Sequence, residues 1–286
     1  MKKQKILISA LFFVILSSQI YSQRANSDSA NQTELETILK KCAEYCEKLS
    51  NSVLYFVCRE KIKEEIYFFG PGSVIIGPSL YRSNRYIKRI EKNNLVYDYQ
   101  LVRKDKIIKE SRVLLEENGQ KKNEKNAPLK TKVFRHKNII LGPIGLLSEY
   151  WQKHHDYKIS KREKYKGEEV IVIEAVPKSG LKLNHLFGKI WVRNSDFSIL
   201  KIEWNQTSIE NYERIEEIAQ QLKSRPSIKL TSEYAYEKNG IRFPSKYSIN
   251  EAYVNVSLRR KRITKSKKTV IYEDYKFFTV ETEIKY

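Results

Sequence analysis

The chain has 286 residues, a formal net charge of +20 at pH 7, and 19 tyrosines against a single methionine. This composition favours a β-rich protein, because aromatic side chains pack well on a pleated sheet. The chain contains no Gly-x-Ser-x-Gly, no His-Glu-x-x-His and no glycine-rich phosphate loop, so the enzyme classes that depend on these motifs are not indicated.

The N-terminus has the features of an export signal. Three lysines precede an apolar run from Ile6 to Ile20, and Ser22 is a small residue suited to signal peptidase. Residues 1–22 therefore indicate a cleaved signal peptide and a periplasmic protein, with an uncleaved anchor as the alternative. An exported protein rarely meets nucleic acid, so the positive charge favours anionic lipid, lipopolysaccharide or an acidic partner.

After the signal comes a polar segment, residues 23–32, which we expect to be flexible. Residues 33–49 carry apolar side chains three and four positions apart, which predicts an amphipathic helix. A strand is predicted next, with one side formed by Leu54, Phe56, Cys58, Ile62 and Ile66. No later segment has the composition of a linker, so residues 33–286 are predicted to form a single β-rich domain.

Three cysteines lie in this first part of the domain. Cys42 and Cys46 are one helical turn apart, and Cys58 belongs to the following strand. Export permits a disulfide, and we predict a Cys46–Cys58 bridge that ties helix to strand and leaves Cys42 free. Closing that loop would contribute about 3 kcal/mol. Zinc is the alternative, but no histidine lies nearby, so we expect no metal.

Residues 95–117 are predicted to form a β-hairpin. The turn-favouring pair Asn118-Gly119 ends its second strand. The polar segment from Gln120 to Asn126, which contains three lysines, is interpreted as a charged loop in solvent.

A short helix is predicted to begin at Pro143, because proline is favoured at the first position of a helix. Its end carries His154, His155 and Asp156. Such a trio could suggest a metal or acid–base site. Adjacent helical residues point in different directions, however, so a surface helix end is the preferred interpretation.

Three strands are predicted at Val170–Val176, Gly188–Arg193 and Ile199–Trp204. The first is apolar on both sides, which is typical of a strand covered on both faces. In the third, Leu200, Ile202 and Trp204 are predicted to share one buried face, because every second residue of a strand points the same way.

A capping box formed by Thr207 and Glu210 predicts the start of another helix, which Pro226 ends. This helix would cover the sheet or act as a lid. The pair Asn239-Gly240 predicts the turn of the clearest hairpin in the chain.

A basic run follows the hairpin. Seven of the ten residues from 259 to 268 are basic, namely Arg259, Arg260, Lys261, Arg262, Lys265, Lys267 and Lys268. At a hairpin tip they would contact an anionic membrane surface, with a contribution of up to about 1 kcal/mol per residue. A tip that is only solvated is the alternative.

The sequence resembles the periplasmic lipoprotein-carrier superfamily, the LolA/LolB-like proteins, in the order of its elements. The resemblance is clearest in Gly188–Trp204, with the sequence GKIWVRNSDFSILKIEW, and in Tyr275–Tyr286, with the sequence YKFFTVETEIKY. It implies an α+β fold, a half-open antiparallel β-barrel with a curved sheet, an N-terminal amphipathic helix and short covering helices. It also implies that the concave, apolar side of the sheet shelters acyl chains.

These patterns predict a protein that is not an enzyme and has no cofactor, and that carries or senses a lipid or lipoprotein acyl chain. The side chains expected to bind the acyl chain are Trp191, Leu200, Ile202, Trp204, Tyr234 and Tyr247. The alternative is a structural or adaptor protein of the cell envelope that binds an acidic partner or an anionic membrane through its basic face. An open apolar concavity would favour the first hypothesis, and a filled core would favour the second.

Overall fold

The computed structural model describes residues 32–53, 56–70, 87–104, 107–180, 185–221, 223–255 and 262–278. The predicted signal peptide and nearly all of the predicted flexible segment lie outside the described residues. Arg259, Arg260 and Lys261 of the basic run also lie outside them.

Long strands dominate the fold. They are β1 (Phe56–Phe69), β2 (Ile87–Lys104), β3 (Ile107–Glu117), β4 (Gln120–Lys125), β5 (His155–Tyr165), β6 (Glu168–Pro177), β7 (Gly188–Arg193), β8 (Ile199–Trp204), β9 (Ser224–Glu233), β10 (Tyr236–Lys238), β11 (Ile241–Phe243), β12 (Lys246–Asn255) and β13 (Arg262–Phe277).

The helices are α1 (residues 32–52), α2 (Ile144–Leu147), α3 (Glu149–Gln152) and α4 (Tyr212–Gln221), with 3-10 turns at Ile139–Leu141 and Gln206–Ser208. Within the described ranges, no helix has both the length and the apolar character that a membrane span requires.

Eleven strands form one antiparallel sheet in the order β4-β3-β2-β1-β13-β12-β9-β8-β7-β6-β5. Strands β10 and β11 form a separate small hairpin. The outer strands β4 and β5 each pair with one neighbour in the described structure, so the sheet is curved but not closed. The predicted fold class, an α+β half-open antiparallel barrel with an N-terminal helix, is therefore confirmed.

Helix α1 packs on the sheet through one apolar face, as its spacing predicts. Its buried side chains are Leu35, Ile38, Cys42, Tyr45, Cys46 and Leu49. Full burial of one such leucine or isoleucine contributes about 1.5–3 kcal/mol. Polar contacts fix the position of the helix, because Arg162 of β5 pairs with Glu34 at 2.6 Å and the amide of Arg242 donates to Tyr45 Oη at 3.0 Å.

Strand β6 is covered on both faces, which confirms the prediction made from its sequence. Ile171 and Ile173 join the main apolar core beneath α1, whereas Val170 and Val172 belong to a second, smaller cluster on the opposite face. We call the face that α1 covers the inner face and the opposite face the outer face.

One local prediction was wrong and another was confirmed. The capping box does not form, because the side chain of Asn205 accepts the amide of Thr207 instead, and α4 begins only at Tyr212. The Asn239-Gly240 pair forms a hairpin turn, as predicted. It joins the short strands β10 and β11, and the long strands on either side, β9 and β12, also pair with each other.

The short helices α2 and α3, and the segments before and after them, also differ from the prediction. Segment Gln120–Lys125 is exposed, as expected, but it forms strand β4 at the sheet edge. The predicted short helix breaks at Ser148, and His155 is a buried first residue of β5 rather than part of a surface helix end.

Candidate functional site

The inner face of the sheet is the candidate site, because it carries the main apolar core. Four of the predicted ligand-binding residues lie there: Ile202, Trp204, Tyr234 and Tyr247 are each at most 6% exposed. Trp204 Nε1 donates to Ser232 Oγ at 2.9 Å, and Tyr234 Oη donates to the carbonyl of Ile139 at 2.9 Å. All four side chains are therefore packed within the protein itself, and those of Trp204 and Tyr234 are also hydrogen-bonded there.

The other two predicted residues, Trp191 and Leu200, lie in the outer-face cluster. The register between β7 and β8 shifts after Trp191, so Leu200 no longer shares a face with Ile202 and Trp204. The indole of Trp191 donates to Glu163 Oε1 at 2.6 Å and lies 3.8 Å from Lys201 Nζ. The six predicted residues thus do not form one site.

An irregular segment, residues 126–138, lies across the inner face over β1, β2, β3 and β13. We call it the strap. The amide of Ala127 donates to the carbonyl of Arg112 at 3.0 Å, and the amide of Lys130 donates to Tyr97 Oη at 3.1 Å. Further along, Asn93 Nδ2 donates to the carbonyl of Lys130 at 3.1 Å. These polar contacts hold the first half of the strap together with the apolar packing of Ala127 and Leu129 against the main core.

The second half of the strap joins a buried ionic network around Glu60. Arg112 donates to both carboxylate oxygens of Glu60, from Nε at 2.6 Å and from Nη2 at 3.2 Å. Tyr272 Oη donates to the same carboxylate at 3.1 Å, and His136 Nε2 lies 3.0 Å away. Burial alone would raise the pKa of Glu60, but His136 and Arg112 outweigh it and lower the pKa to about 2.

A second buried carboxylate binds the backbone of the strap. Glu64 accepts the amides of Lys132 and Val133 at 3.0–3.1 Å. Lys268 Nζ donates to the carbonyls of Val133 and Phe134, and lies 3.3 Å from Nδ1 of His136. Burial lowers the pKa of Lys268 to about 8.

This network was not anticipated from the sequence, although the sequence contains a signal for it. Glu60 and Glu64 occupy inward positions of β1, in line with Phe56, Cys58 and Ile62. A buried carboxylate needs a partner, because an unpaired buried charge is very costly.

The inner face is consequently divided into two halves. The half under the strap holds buried paired charges among its apolar side chains, such as Ile62, Leu95 and Leu114, and the strap covers it, so it is unsuited to an acyl chain. The half under α1 is apolar and is formed mainly by strands β5 to β9 and β12. The candidate site is therefore this apolar half and its helical cover.

A groove of about 790 Å³ opens between α1 and the short helices α2 and α3. Its lining residues are Glu36, Leu39, Lys40, Ala43, Glu44, Cys46, Glu47, Ser50, Asn51, Ile144, Ser148, Glu149, Tyr150 and Gln152. Leu39, Cys46 and Ile144 also contact or belong to the main core, so the groove leads from the charged surface to the apolar interior.

Two hydrogen bonds cross between the walls of this groove. Gln152 Nε2 donates to the carbonyl of Leu39 at 2.7 Å as well as to that of Leu147 at 2.7 Å. Cys46 Sγ donates to the carbonyl of Pro143 at 3.4 Å. Apart from these bonds and the contacts of Glu34 and Tyr45 described above, α1 is attached to the sheet by its apolar face. An apolar ligand could replace these apolar contacts.

The end of the sheet where β1 finishes and β2 and β13 begin has a different character. We call it the basic sheet end and define it by residues 67–69, 87–90 and 262–267. Ile87 and Ile90 are 51% and 42% exposed. Arg89 lies 4.4 Å and Lys265 lies 5.5 Å from the centre of the Phe68 ring. Exposed apolar side chains thus lie among aromatic rings and cations.

The residues that were predicted to contact an anionic surface differ in their exposure at this end of the sheet. Arg262 and Lys267 are exposed and Lys265 is half-buried, whereas Lys268 is only 1% exposed because it points to the inner face. The prediction was therefore wrong for Lys268, whose cation binds the strap. It was also wrong to place the whole run in a hairpin tip, since β13 begins at Arg262.

All three cysteines are buried free thiols, so the structure does not contain the predicted Cys46–Cys58 bridge. Cys46 contacts Pro143, whereas Cys58 lies beside Tyr275, at a different part of the core. Burial raises the pKa of each thiol above its usual value. The helix and the strand are therefore joined by packing.

No family model and no curated protein matches the chain. Among solved structures, the chain is similar to an outer membrane lipoprotein-sorting protein domain from Vibrio parahaemolyticus, with 11% identity, a TM-score of 0.42, and coverage of 86% of this chain and 94% of that one. It is also similar to a DUF1329 family protein from Desulfovibrio piger, with 10% identity, a TM-score of 0.37, and coverage of 87% and 94%.

A third similar structure is a LolA superfamily protein from Nitrosomonas europaea, with 11% identity, a TM-score of 0.33, and coverage of 87% of this chain and 96% of that one. The superfamily that the sequence resembles is thus among the structural matches, as predicted. The similarity concerns the fold.

Proposed function

We propose that the protein is a periplasmic carrier or sensor, without enzymatic activity, that binds the acyl chain of a lipid or lipoprotein. The acyl chain enters through the groove between α1 and the short helices and reaches the apolar half of the inner face. Ile202, Trp204 and Tyr234 form the floor of the site, and Leu39, Cys46 and Ile144 form its entrance. Tyr247 lies at the border with the strap, where its ring packs against His136.

The groove is the observation that carries this proposal. Its volume of about 790 Å³ falls within the range of about 300–1,000 Å³ that is usual for small-molecule sites. Its charged rim and apolar base suit an amphiphile, whose polar head stays in water while its chain is buried. Each methylene group removed from water contributes about 0.8 kcal/mol.

The packed floor requires that the cover moves when the ligand is bound. Helix α1 presents six buried apolar side chains to the sheet, and an acyl chain offers the same kind of surface. When α1 moves away, the acyl chain therefore replaces most of the apolar contacts that the sheet loses. The strap keeps its place during this exchange, because paired charges and backbone hydrogen bonds hold it in addition to the apolar contacts of Ala127, Leu129 and Phe134.

The basic sheet end provides the approach to the membrane in this proposal. Arg262, Lys265 and Lys267 supply positive charge, and Ile87 and Ile90 supply exposed apolar side chains. Cations attract a protein to anionic lipid, and apolar side chains beside them insert at the headgroup boundary. Arg259, Arg260 and Lys261 extend the same basic run in the sequence.

The entrance is tested by filling it. Ala43 lines the groove, so Ala43→Trp is expected to reduce uptake of a fluorescent fatty-acyl probe at least about tenfold, because the indole occupies the space of the ligand. Lys48→Trp, on an exposed part of the same helix, is the matched control and should leave uptake unchanged. Equal uptake by the two variants would refute the proposed entrance.

The cargo is tested without assuming its identity. Organic extracts of the natively purified protein, analysed by mass spectrometry, are expected to contain an acyl lipid in a stoichiometric amount. An extract with no lipid, together with no uptake of the probe, would exclude the carrier function.

Membrane binding is tested separately with vesicles. The double substitution Lys265→Glu and Lys267→Glu should weaken binding to phosphatidylglycerol vesicles and flatten its salt dependence, since fewer cations then contact the lipid. Uptake of the acyl probe in solution should stay the same. Unchanged vesicle binding would show that another surface contacts the membrane.

A second candidate function is an envelope adaptor that binds an acidic protein through the basic sheet end. The observation in its favour is that the floor residues Ile202, Trp204 and Tyr234 are already packed in the core. Probe uptake separates the two candidates, because an adaptor would keep salt-sensitive binding to an acidic partner and take up no acyl chain.

A further inference from the structure

Two histidines that are distant in sequence meet at the start of β5. His155 Nε2 and His185 Nε2 lie 2.8 Å apart. His155 is only 2% exposed, whereas His185 is half-buried and therefore partly accessible from solvent. The Trp151 ring lies against this pair, with its centre 4.6 Å from the centre of the His185 ring.

The hydrogen bonds of His155 determine which of its nitrogens is free. Its Nδ1 lies 2.9 Å from the carbonyl oxygen of Trp151. A carbonyl oxygen only accepts, so Nδ1 carries the proton and Nε2 carries a lone pair. This arrangement, in which a carbonyl holds one ring nitrogen and leaves the other free, is how proteins usually orient a histidine that binds a metal.

The spacing of the two nitrogens suits adjacent positions around a metal ion. Bonds of about 2.0–2.1 Å to nitrogens 2.8 Å apart meet at about 90°. That angle is close to the one between neighbouring ligands in the tetragonal geometry of Cu²⁺, and smaller than the tetrahedral angle preferred by Zn²⁺. His185 accommodates the ion by moving its proton from Nε2 to Nδ1.

We propose that His155 and His185 form a binding site for Cu²⁺. The pair supplies two adjacent ligands, and water fills the other positions, because the described residues contain no group of three or more suitable side chains.

The site is tested with protein that carries no affinity tag. Calorimetric titration with Cu²⁺ at pH 7 should show one site, and binding should quench tryptophan fluorescence because Trp151 lies beside it. His185→Gln and His155→Gln should each weaken binding at least about tenfold, and Zn²⁺ should bind more weakly than Cu²⁺. Electron paramagnetic resonance should show coupling to two nitrogens.

His154→Gln is the matched control, because half-buried His154 directs Nδ1 to the carbonyl of Tyr150 and packs its ring against Trp151. Its effect is therefore measured by calorimetry rather than by tryptophan fluorescence. Circular dichroism verifies the fold of each variant, and partly exposed His185 provides the test if the buried His155 variant fails to fold. No Cu²⁺ binding by the unsubstituted protein, full binding by folded His185→Gln, or an equal loss in His154→Gln would each overturn the proposal.

Discussion

Replacement of Arg112 by methionine is expected to destabilise the protein by about 3–5 kcal/mol, because it leaves the carboxylate of Glu60 buried without its main cation. Lowering the pKa of Glu60 from 4.5 to about 2 corresponds to about 3 kcal/mol of stability at neutral pH, and this stabilisation is shared between His136 and Arg112. For a chain of this size the melting temperature should fall by roughly 6–20 °C.

The assay is urea unfolding at pH 7 of the unsubstituted protein, Arg112→Met, Glu60→Gln and the double variant. The double variant should be less destabilised than the sum of the single variants, because it contains neither unpaired group. Lys153→Met breaks the exposed pair with Glu149, whose side chains are 68% and 84% exposed. This control should have no measurable effect.

The pH dependence provides a second measurement of the same interaction. The pKa of Glu60 is lower in the folded state, so its contribution is fully present above the unfolded value of 4.5 and is lost as pH falls toward 2. The difference in stability between the unsubstituted protein and Arg112→Met should therefore shrink over this range. A loss below about 1 kcal/mol at pH 7, or additive single variants, would refute the role assigned to the pair.

Three further predictions follow from local geometry, from the thiols and from the sequence of the N-terminus. Gly188→Ala should lower the free energy of unfolding by about 1–3 kcal/mol, because the new Cβ would lie 2.1 Å from a backbone oxygen of β8. Gly145→Ala is the control, since its Cβ meets no atom within 4 Å and should be tolerated. Equal melting temperatures of the two variants would contradict this prediction. Ellman's reagent should detect no thiol in the native protein and three after unfolding without reductant, since all three are buried and free; one thiol after unfolding would instead indicate a disulfide. N-terminal sequencing of the exported protein should begin near Gln23, and an intact Met1 would disprove cleavage.

Regular amphipathic patterns were sufficient to predict much of the fold. The three- and four-residue spacing of α1 identified its buried face, including Ile38, Cys42 and Leu49. The doubly apolar run in β6 correctly predicted cover on both faces. Such patterns are reliable because the repeat of a helix or strand directly sets which side chains meet the core.

Irregular features could not be predicted in this way. A shift of register between β7 and β8 moves Leu200 to the outer face, and a strict two-residue repeat does not reveal such a shift. The strap has no apolar repeat, and its role depends on partners far along the chain, such as Lys268. The sequence of β1 shows two carboxylates on an apolar side, but it does not show which cations neutralise them.

The position of β13 affects how the protein can fold. This strand lies between β1 and β12, and Phe56 at the start of β1 pairs with Phe277 at its end. The two halves of the sheet therefore cannot join until almost the whole chain is available, and such long-range pairing is slow. A chain that stops before β13 would leave β1 and β12 as unpaired edges, and such edges promote aggregation.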